Sequence, residues 1–390
     1  MRLINCGLTE LSLKLTGKKV ICFGAGRYIE DFIKRFPESD FMNQILCFWD
    51  NDSCKWGMTR HINQKVYNIC RPGDGLDGLK NIVIVVASIY YKNIIQQISR
   101  MQKCTDIECY VLEFLKLDYY DSRMFSDSVE RSDSDIKLPT GNIPKKIHYF
   151  WFGKKPLPDR FERNIDTWRN FCPDYEIIRW DESNYDITVN KYMEQAYKAQ
   201  KWGFVPDYAR LDVINRYGGI YLDTDVELVR GLDDLLGYKA FCGFQTGALV
   251  NFGQGFGAEK NQEIIKKVMS LYDDLEFIME DGSLNMVASP KYLTDILMEL
   301  GLKKKNVTQK VGELTVFPTT YFCPKSLYYG LTHISPLTCS IHHFAASWFE
   351  EGQSFYQDGV YKDVLYETHE GEVYRYEEWD EDGERHTVFG

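Results

Sequence analysis

The chain has 390 residues, 44% hydrophobic and 26% charged, a globular composition with length enough for two domains. Its formal charge is −11, and residues 351–390 hold twelve Asp/Glu against three Lys/Arg, so this tail carries −9 and the rest of the chain −2. That balance excludes a general nucleic-acid binder and leaves a near-neutral body able to meet an anionic ligand or a membrane surface. The 11 cysteines are odd in number and contain no C-x-x-C pair, which fits reduced thiols better than a disulfide framework or a zinc site. No apolar run reaches the roughly 18 residues of a membrane span, and Met1 to Val20 has no signal-like core. The expectation is a soluble, cytoplasmic protein, with any membrane contact peripheral and at the inner face.

In chain order, Lys18–Phe23 reads as a short apolar strand followed by Gly24-Ala25-Gly26 and a helical pattern to Phe36. Ile45–Trp49 is a second strand and Asn81–Ala87 (NIVIVVA) a third, its unbroken β-branched run typical of a strand buried on both faces. Lys92–Arg100 has helical spacing and Glu108–Leu112 is a fourth strand. Alternating strands and helices predict a doubly wound α/β domain over residues 1–118. The glycine turn could offer helix N-terminal amides to a phosphate, and Asp50 could bind a ribose. However, Ile29 stands at the third position of G-x-G-x-x-G, so a tight turn in a domain without cofactor is the stronger expectation. The arrangement resembles the small Rossmann-like domains attached to bacterial polysaccharide enzymes. Residues 119–142, rich in Ser and Asp and without periodicity, read as a linker.

A second α/β domain is expected over residues 143–350. Ile143–Gly153 (IPKKIHYFWFG) enters as an aromatic strand, Phe161–Phe171 as a helix, Tyr175–Trp180 as a strand and Asn190–Ala199 as a helix. The informative stretch is FVPDYARLDVINRYGGIYLDTDVE at 204–227. Pro206 suits the first turn of a helix, and Asp207 is favourable near its positive end. Asp207 and Arg210, three apart, share a face. Gly218-Gly219 end that helix, and the strand Ile220-Tyr221-Leu222 delivers Asp223-Thr224-Asp225 at its exit. Two carboxylates so placed are hard oxygen ligands for a divalent cation bound to a diphosphate.

The run P-D-Y-A-R-x-D-x-x-x-x-Y-G-G-I-Y-L-D-T-D resembles the signature of glycosyltransferase family 32, with further support at 143–153, at 171–180 (FCPDYEIIRW) and at 341–348 (IHHFAASW). Pro206 departs from the serine frequent there. The resemblance implies a GT-A fold binding a nucleotide sugar, with a UDP-linked hexose or N-acetylhexosamine as the expected donor, with Mn²⁺ or Mg²⁺ and retention of configuration. By that resemblance Asp225 coordinates the metal, while Asp223 contacts ribose or sugar and the metal through water. Asp207 and Arg210 hold sugar hydroxyls or the diphosphate. One of His342 and His343, with His343 favoured, completes the metal shell, and Ser347 and Trp348 close over the phosphates. Trp151 is the candidate to stack on the base, and Tyr221 to pack beneath the donor. Asn251 and Gln254, in the Gly-rich segment 243–290, are candidate acceptor binders.

Residues 351–390 contain three β-rich segments, 360–366, 372–379 and 384–389, and read as a small acidic β-meander. The expected function is transfer to a hydroxyl of a glycan or lipid-linked acceptor in surface polysaccharide or lipopolysaccharide synthesis. The competing readings are a Rossmann-type sugar-nucleotide modifier or NAD-dependent oxidoreductase using Gly24–Gly26, and a non-catalytic scaffold of polysaccharide assembly.

Overall fold

A computed structural model describes residues 1–122 except 5, 63 and 77, residues 141–326 and 331–345, and the tail segments 365–367, 373–376, 378–379 and 385–386. The first sheet has seven strands: β1 (Arg2–Leu3), β2 (Lys19–Phe23), β3 (Ile45–Trp49), β4 (Thr59–Ile62), β5 (Lys65–Cys70), β6 (Ile82–Val86) and β7 (Glu108–Val111). Their order is β1-β7-β6-β2-β3-β5-β4, and every pairing is parallel except the β4–β5 hairpin. Its helices are α1 (Leu11–Leu15), α2 (Tyr28–Arg35), α3 (Tyr91–Ser99) and α4 (Leu112–Ser122). Alternate residues of the central strands feed separate cores: Ile21, Phe23, Ile84 and Val86 pack on one face, and Val20, Cys22, Val83 and Val85 on the other. Burial on both faces is why these strands read as unbroken apolar runs.

Two features differ from the sequence reading. The β4–β5 hairpin was not foreseen, because TRHI has a single apolar residue and no Gly, Pro or Asn-Gly marks the turn to KVYNIC, where Gln64 has φ 65°. Helix α4 continues to Ser122, past residue 118 and into the stretch read as linker; residues 123–140 lie outside the described residues.

The second sheet begins with β8 (Lys146–Phe150), α5 (Asp159–Phe171), β9 (Glu176–Trp180), α6 (Lys191–Lys198), α7 (Pro206–Tyr217) and β10 (Gly219–Tyr221). It continues through β11 (Val226–Leu228), β12 (Ala240–Gln245), β13 (Leu249–Asn251), β14 (Phe256–Ala258), α8 (Glu263–Leu271) and α9 (Ser289–Glu299). The remaining elements before the tail are β15 (Gln309–Val311), β16 (Leu314–Phe317), α10 (Thr319–Phe322), β17 (Leu331–Ile334) and β18 (Ser340–His342), of which only β15 and β16 belong to the second sheet. The strand order is β15-β16-β12-β14-β10-β8-β9, with β13 pairing to β12. β9, β8 and β10 run parallel, whereas β14 is antiparallel to both β10 and β12. Here too successive residues part to two cores, Tyr221 to one and Ile220 and Leu222 to the other. Both sheets are α/β, as the sequence implies.

β11 stands outside this sheet and pairs antiparallel with β18, in the register Val226↔His342 and Leu228↔Ser340. This ribbon joins the acidic turn to the histidine pair more than a hundred residues downstream. The tail is not a self-contained three-stranded meander. Its strands β19 (Leu365–Glu367) and β20 (Val373–Tyr376) form a sheet with β17, in the order β17-β20-β19. β21 (Glu378–Trp379) and β22 (Arg385–His386) pair as a separate ribbon. A strand before the tail supplies the missing partner, so the tail's own pattern could not reveal the pairing.

Candidate functional site

Helix α7 starts at Pro206, whose ring suits the first helical turn, and ends at Gly218 with φ 65° and Gly219 with φ 113°. His148 of β8 locks this corner: its buried Nε2 donates to the Gly218 carbonyl at 2.9 Å while Nδ1 accepts from Trp180 Nε1 at 3.1 Å. Burial holds this imidazole down to about 4, as expected of a ring kept neutral between a carbonyl and an indole N–H. The corner fixes where β10 begins, and four residues later the chain exits into Asp223-Thr224-Asp225.

That turn is held from several directions. The Asp223 amide donates to the Gly253 carbonyl at 2.8 Å, and the His343 amide to the Asp225 carbonyl at 2.9 Å. Helix α5 contributes three side chains: Asn164 Nδ2 donates to Thr224 O at 2.9 Å, Trp168 Nε1 to Val226 O at 2.8 Å, and Thr167 Oγ1 accepts from the Leu228 amide at 2.9 Å. Gly253 is required by packing, since a Cβ there would lie 1.9 Å from Asp223 Oδ2.

The side chains project into a cavity of about 530 Å³. Asp223 Oδ1 accepts from the Tyr221 hydroxyl at 2.7 Å, and its Oδ2 lies 3.8 Å from Arg210. Asp225 Oδ2 accepts from the Ala345 amide at 2.8 Å, and Oδ1 is 3.3 Å from His342 Nε2. Burial works against the Asp225 charge, but His342, that amide and His343 outweigh it and hold the carboxyl down to about 2. One ligand atom each from Asp223, Asp225 and His342 falls within 4.8 Å of the others. The buried Nδ1 of His342 has no hydrogen-bond partner among the described residues. Two carboxylates and an imidazole this close, opening on a cavity, fit a divalent cation.

Asp207 and Arg210 are each 5% exposed and face the same cavity. Arg210 donates to Asp207 Oδ1 at 2.6 Å and to the Pro206 carbonyl at 3.1 Å, and sits 5.1 Å from the Tyr221 ring centroid. Burial raises the Asp207 carboxyl to about 6 against the pull of Arg210 and a hydrogen bond from Ser289. Burial also opposes the Arg210 charge, but Asp223, Tyr221 and Asp207 more than offset it, so the guanidinium stays protonated.

Of the residues expected at the site, Trp151, Asp207, Arg210, Tyr221, Asp223, Asp225 and Asn251 all line the cavity. The histidine that meets the carboxylates is His342, not the favoured His343. Successive residues at the end of β18 point apart, and His343 Nε2 is 2.9 Å from Glu227 Oε2 with its side chain 4% exposed. Gln254 is a second correction. It is fully buried and donates to the carbonyls of Gly243 and Phe244 at 3.1 and 2.9 Å, bracing β12 instead of facing a ligand. Asn251 remains at the cavity, donating to Gln245 Oε1 at 2.8 Å. Tyr221 is wholly buried and reaches the site through its hydroxyl. Ser347 and Trp348 lie outside the described residues. Sequence reasoning missed Asn164, Trp168 and Ser289. The first two stand four apart on the face of α5 that meets the acidic turn, a spacing visible in N-I-D-T-W, but nothing local says which turn they serve.

In the first sheet the glycine turn is closed. The Ala25 amide donates to Asp50 Oδ2 at 3.0 Å, and Lys55 contacts both oxygens of that carboxylate at 3.1 Å.

Residues 158–242 match the family model described as glycosyltransferase sugar-binding region containing DXD motif. The chain is 34% identical over 107 residues to inositol phosphoceramide mannosyltransferase 3 of Schizosaccharomyces pombe, covering 25% of this chain and 29% of that protein. It is 30% identical over 103 residues to mannosyl phosphorylinositol ceramide synthase SUR1 of Saccharomyces cerevisiae, covering 25% and 27%. It is also 27% identical over 127 residues to subversion of eukaryotic traffic protein A of Legionella pneumophila, covering 23% and 20%. The matches thus span less than a third of each of these three relatives. Among solved structures, PaToxG glycosyltransferase aligns over 53% of this chain and 79% of its own at 19% identity, with a TM-score of 0.34.

Proposed function

We propose, from the premise that residues 158–242 form a DXD-containing glycosyltransferase sugar-binding region, that this protein is a metal-dependent, retaining glycosyltransferase. It moves a hexose or N-acetylhexosamine from a nucleotide diphosphate sugar to a hydroxyl of a glycan or lipid-linked acceptor. The observation that carries this reading is the convergence of Asp223, Asp225 and His342 on a cavity that also holds Asp207, Arg210 and Trp151. A UDP-sugar is the first donor to test, and the proposed setting is surface polysaccharide synthesis at the cytoplasmic side. Among the described residues no helix is long and apolar enough to cross a membrane. A second reading, a mannosyl donor and a lipid-borne acceptor, is favoured by the names of the two yeast relatives.

Asp223, Asp225 and His342 would hold Mn²⁺ or Mg²⁺, which when bound supplies Lewis-acid neutralisation of a departing diphosphate. Tyr221 orients Asp223 through its hydroxyl, and the Ala345 amide orients Asp225. Arg210, fixed by Asp207, presents its remaining donors to sugar hydroxyls or phosphate. Trp151, with its N–H held by the Lys155 carbonyl at 2.8 Å, offers a ring face to the base. Among the described residues lining the cavity the carboxylates are Asp207, Asp223 and Asp225, and all three already have partners. We therefore favour front-face attack by the acceptor hydroxyl, which needs positioning and charge stabilisation and no enzymic nucleophile.

The test is release of nucleoside diphosphate from a panel of UDP- and GDP-sugars with Mn²⁺, comparing the wild type with Asp225→Asn. Slow hydrolysis of one donor, removed by EDTA and by the substitution, supports the reading and names the donor. No metal-dependent binding of any donor would overturn it in favour of a scaffold.

A further inference from the structure

The cavity holds three cations, Lys155, Arg160 and Arg210, and they stand in different circumstances. Arg210 is committed to Asp207 and to the Pro206 carbonyl and faces Asp223. Lys155 is exposed. Arg160, the second residue of α5, is half-buried, and its Nε is shut off from solvent without a hydrogen-bond partner among the described residues. Its guanidinium carbon lies 4.6 Å from the Phe161 ring centroid, a cation–π contact that steers the planar group. Burial disfavours its charge, and Asp225 is the group that offsets this. No side chain caps the helix at whose start it sits, so the positive end of α5 adds to the same potential.

The charges then leave a clear remainder. Asp207 offsets Arg210, and a divalent cation would offset Asp223 and Asp225, so the cavity keeps a net positive charge from Arg160 and the exposed Lys155. A guanidinium N–H that gives up solvent without gaining an acceptor, as the Arg160 Nε does, is costly unless a ligand supplies one. Its planar fork matches phosphate oxygens. We infer that Arg160 is a phosphate-binding residue of this cavity, hydrogen-bonding the donor's diphosphate beside the Asp223–Asp225–His342 cluster. This rests on the glycosyltransferase reading above.

The experiment is calorimetric titration of UDP, GDP, UMP, GMP and uridine in Mn²⁺ into the wild type, Arg160→Gln, Arg160→Lys and, as a control on the same helix, Arg169→Gln. Arg169 is exposed and paired with Asp166 at 2.6 Å. Arg160→Gln is expected to weaken the preferred diphosphate about 10- to 100-fold, the range of a charge-assisted hydrogen bond. The corresponding monophosphate should weaken less, and uridine and Mn²⁺ alone should bind as in the wild type. Arg160→Lys should recover part of the loss, and Arg169→Gln should match the wild type. Unchanged diphosphate binding by Arg160→Gln would overturn the inference. So would an equal loss of uridine and diphosphate, which would mark Arg160 as structural. Should Arg160→Gln fail to fold by thermal melting, Arg160→Lys decides, since a phosphate fork predicts a selective diphosphate defect in a folded protein. A wild type that binds no nucleoside diphosphate would instead remove the glycosyltransferase reading, and this inference with it.

Discussion

Two strand exits in this chain carry the ingredients of a nucleotide site, and they differ in what their polar groups are already doing. At the end of β2, the Gly24-Ala25-Gly26 turn offers backbone amides and Asp50 offers a carboxylate. These groups satisfy one another: Ala25 donates to Asp50, the Asp52 amide donates at 2.9 Å to its other oxygen, and Lys55 neutralises it. At the end of β10, Asp223 accepts from Tyr221 with Arg210 3.8 Å away, and Asp225 accepts from the Ala345 amide with His342 3.3 Å away, and both carboxylates open on a cavity. A motif at a strand end names the groups present. Only the hydrogen-bond accounting says whether any capacity is left for a ligand.

The largest effects should come from the open exit. Asp225→Asn removes a charged ligand, and donor turnover should fall at least about 10³-fold, the worth of several kcal/mol of lost charge stabilisation. Mn²⁺ binding measured in parallel should fall with it, and turnover surviving with metal lost would break the assignment. Gly253→Ala tests the same site without replacing a ligand. Its Cβ would overlap Asp223 Oδ2, so Mn²⁺ binding should be lost in a chain that still folds, as circular dichroism would report. The next effect is smaller. Asn164→Ala removes the donor to Thr224 O and should weaken Mn²⁺ about 10- to 100-fold, as loss of a residue supporting metal ligands typically does. An unchanged metal affinity would mean that the β11–β18 pairing holds the turn unaided.

What the sequence shows of this site follows from locality. Asp207, Arg210, Tyr221, Asp223 and Asp225 lie within nineteen residues on one helix, one turn and one strand, so period and spacing bring them together in advance. The choice between His342 and His343 is not local. It depends on the antiparallel register Val226↔His342, which turns His342 to the carboxylates and His343 to Glu227. Gln254 illustrates the opposite limit: a polar residue in a glycine-rich run looks like a binder, but two carbonyls of β12 claim its amide. The same holds for the fold. Buried parallel strands such as Ile82–Val86 announce themselves, whereas the β4–β5 hairpin and the pairing of the tail with β17 rest on partners that no local pattern names.

The His148 corner makes the stability of the fold depend on pH. An unfolded histidine titrates near 6.5, and in the fold burial depresses it to about 4. The unfolded chain therefore binds the proton first, and the stability held by neutral His148 is fully present above pH 6.5 and lost as pH falls towards 4. The shift corresponds to roughly 3 kcal/mol at about 1.4 kcal/mol per pH unit. Urea melts at pH 7.5 and 4.5 should show His148→Gln losing much of the wild type's pH dependence in that window. An unaltered dependence would place the acid sensitivity elsewhere.

The smallest effect belongs to the closed exit and is the sharpest test of the comparison. Asp50→Ala leaves the Ala25 amide without its acceptor and Lys55 with Asp52 alone, 3.6 Å away, which should cost about 1 to 3 kcal/mol. Burial opposes the Asp50 charge, but the amides of Asp52 and Ala25 and Lys55 hold its carboxyl below the ordinary 3.8. Its contribution is therefore present above that value and is lost as pH falls through the lower folded one. Donor turnover should stay at the wild-type level, because nothing in the second sheet's cavity depends on this turn. Tighter NAD(P) or nucleotide binding after Asp50→Ala, read by fluorescence, would show the carboxylate acting as a plug over a latent phosphate site. Weaker stability with no nucleotide bound by either protein would show that the Gly24–Gly26 turn is built to close on Asp50, a structural use of the same residues that bind ligands in other strand-to-helix turns.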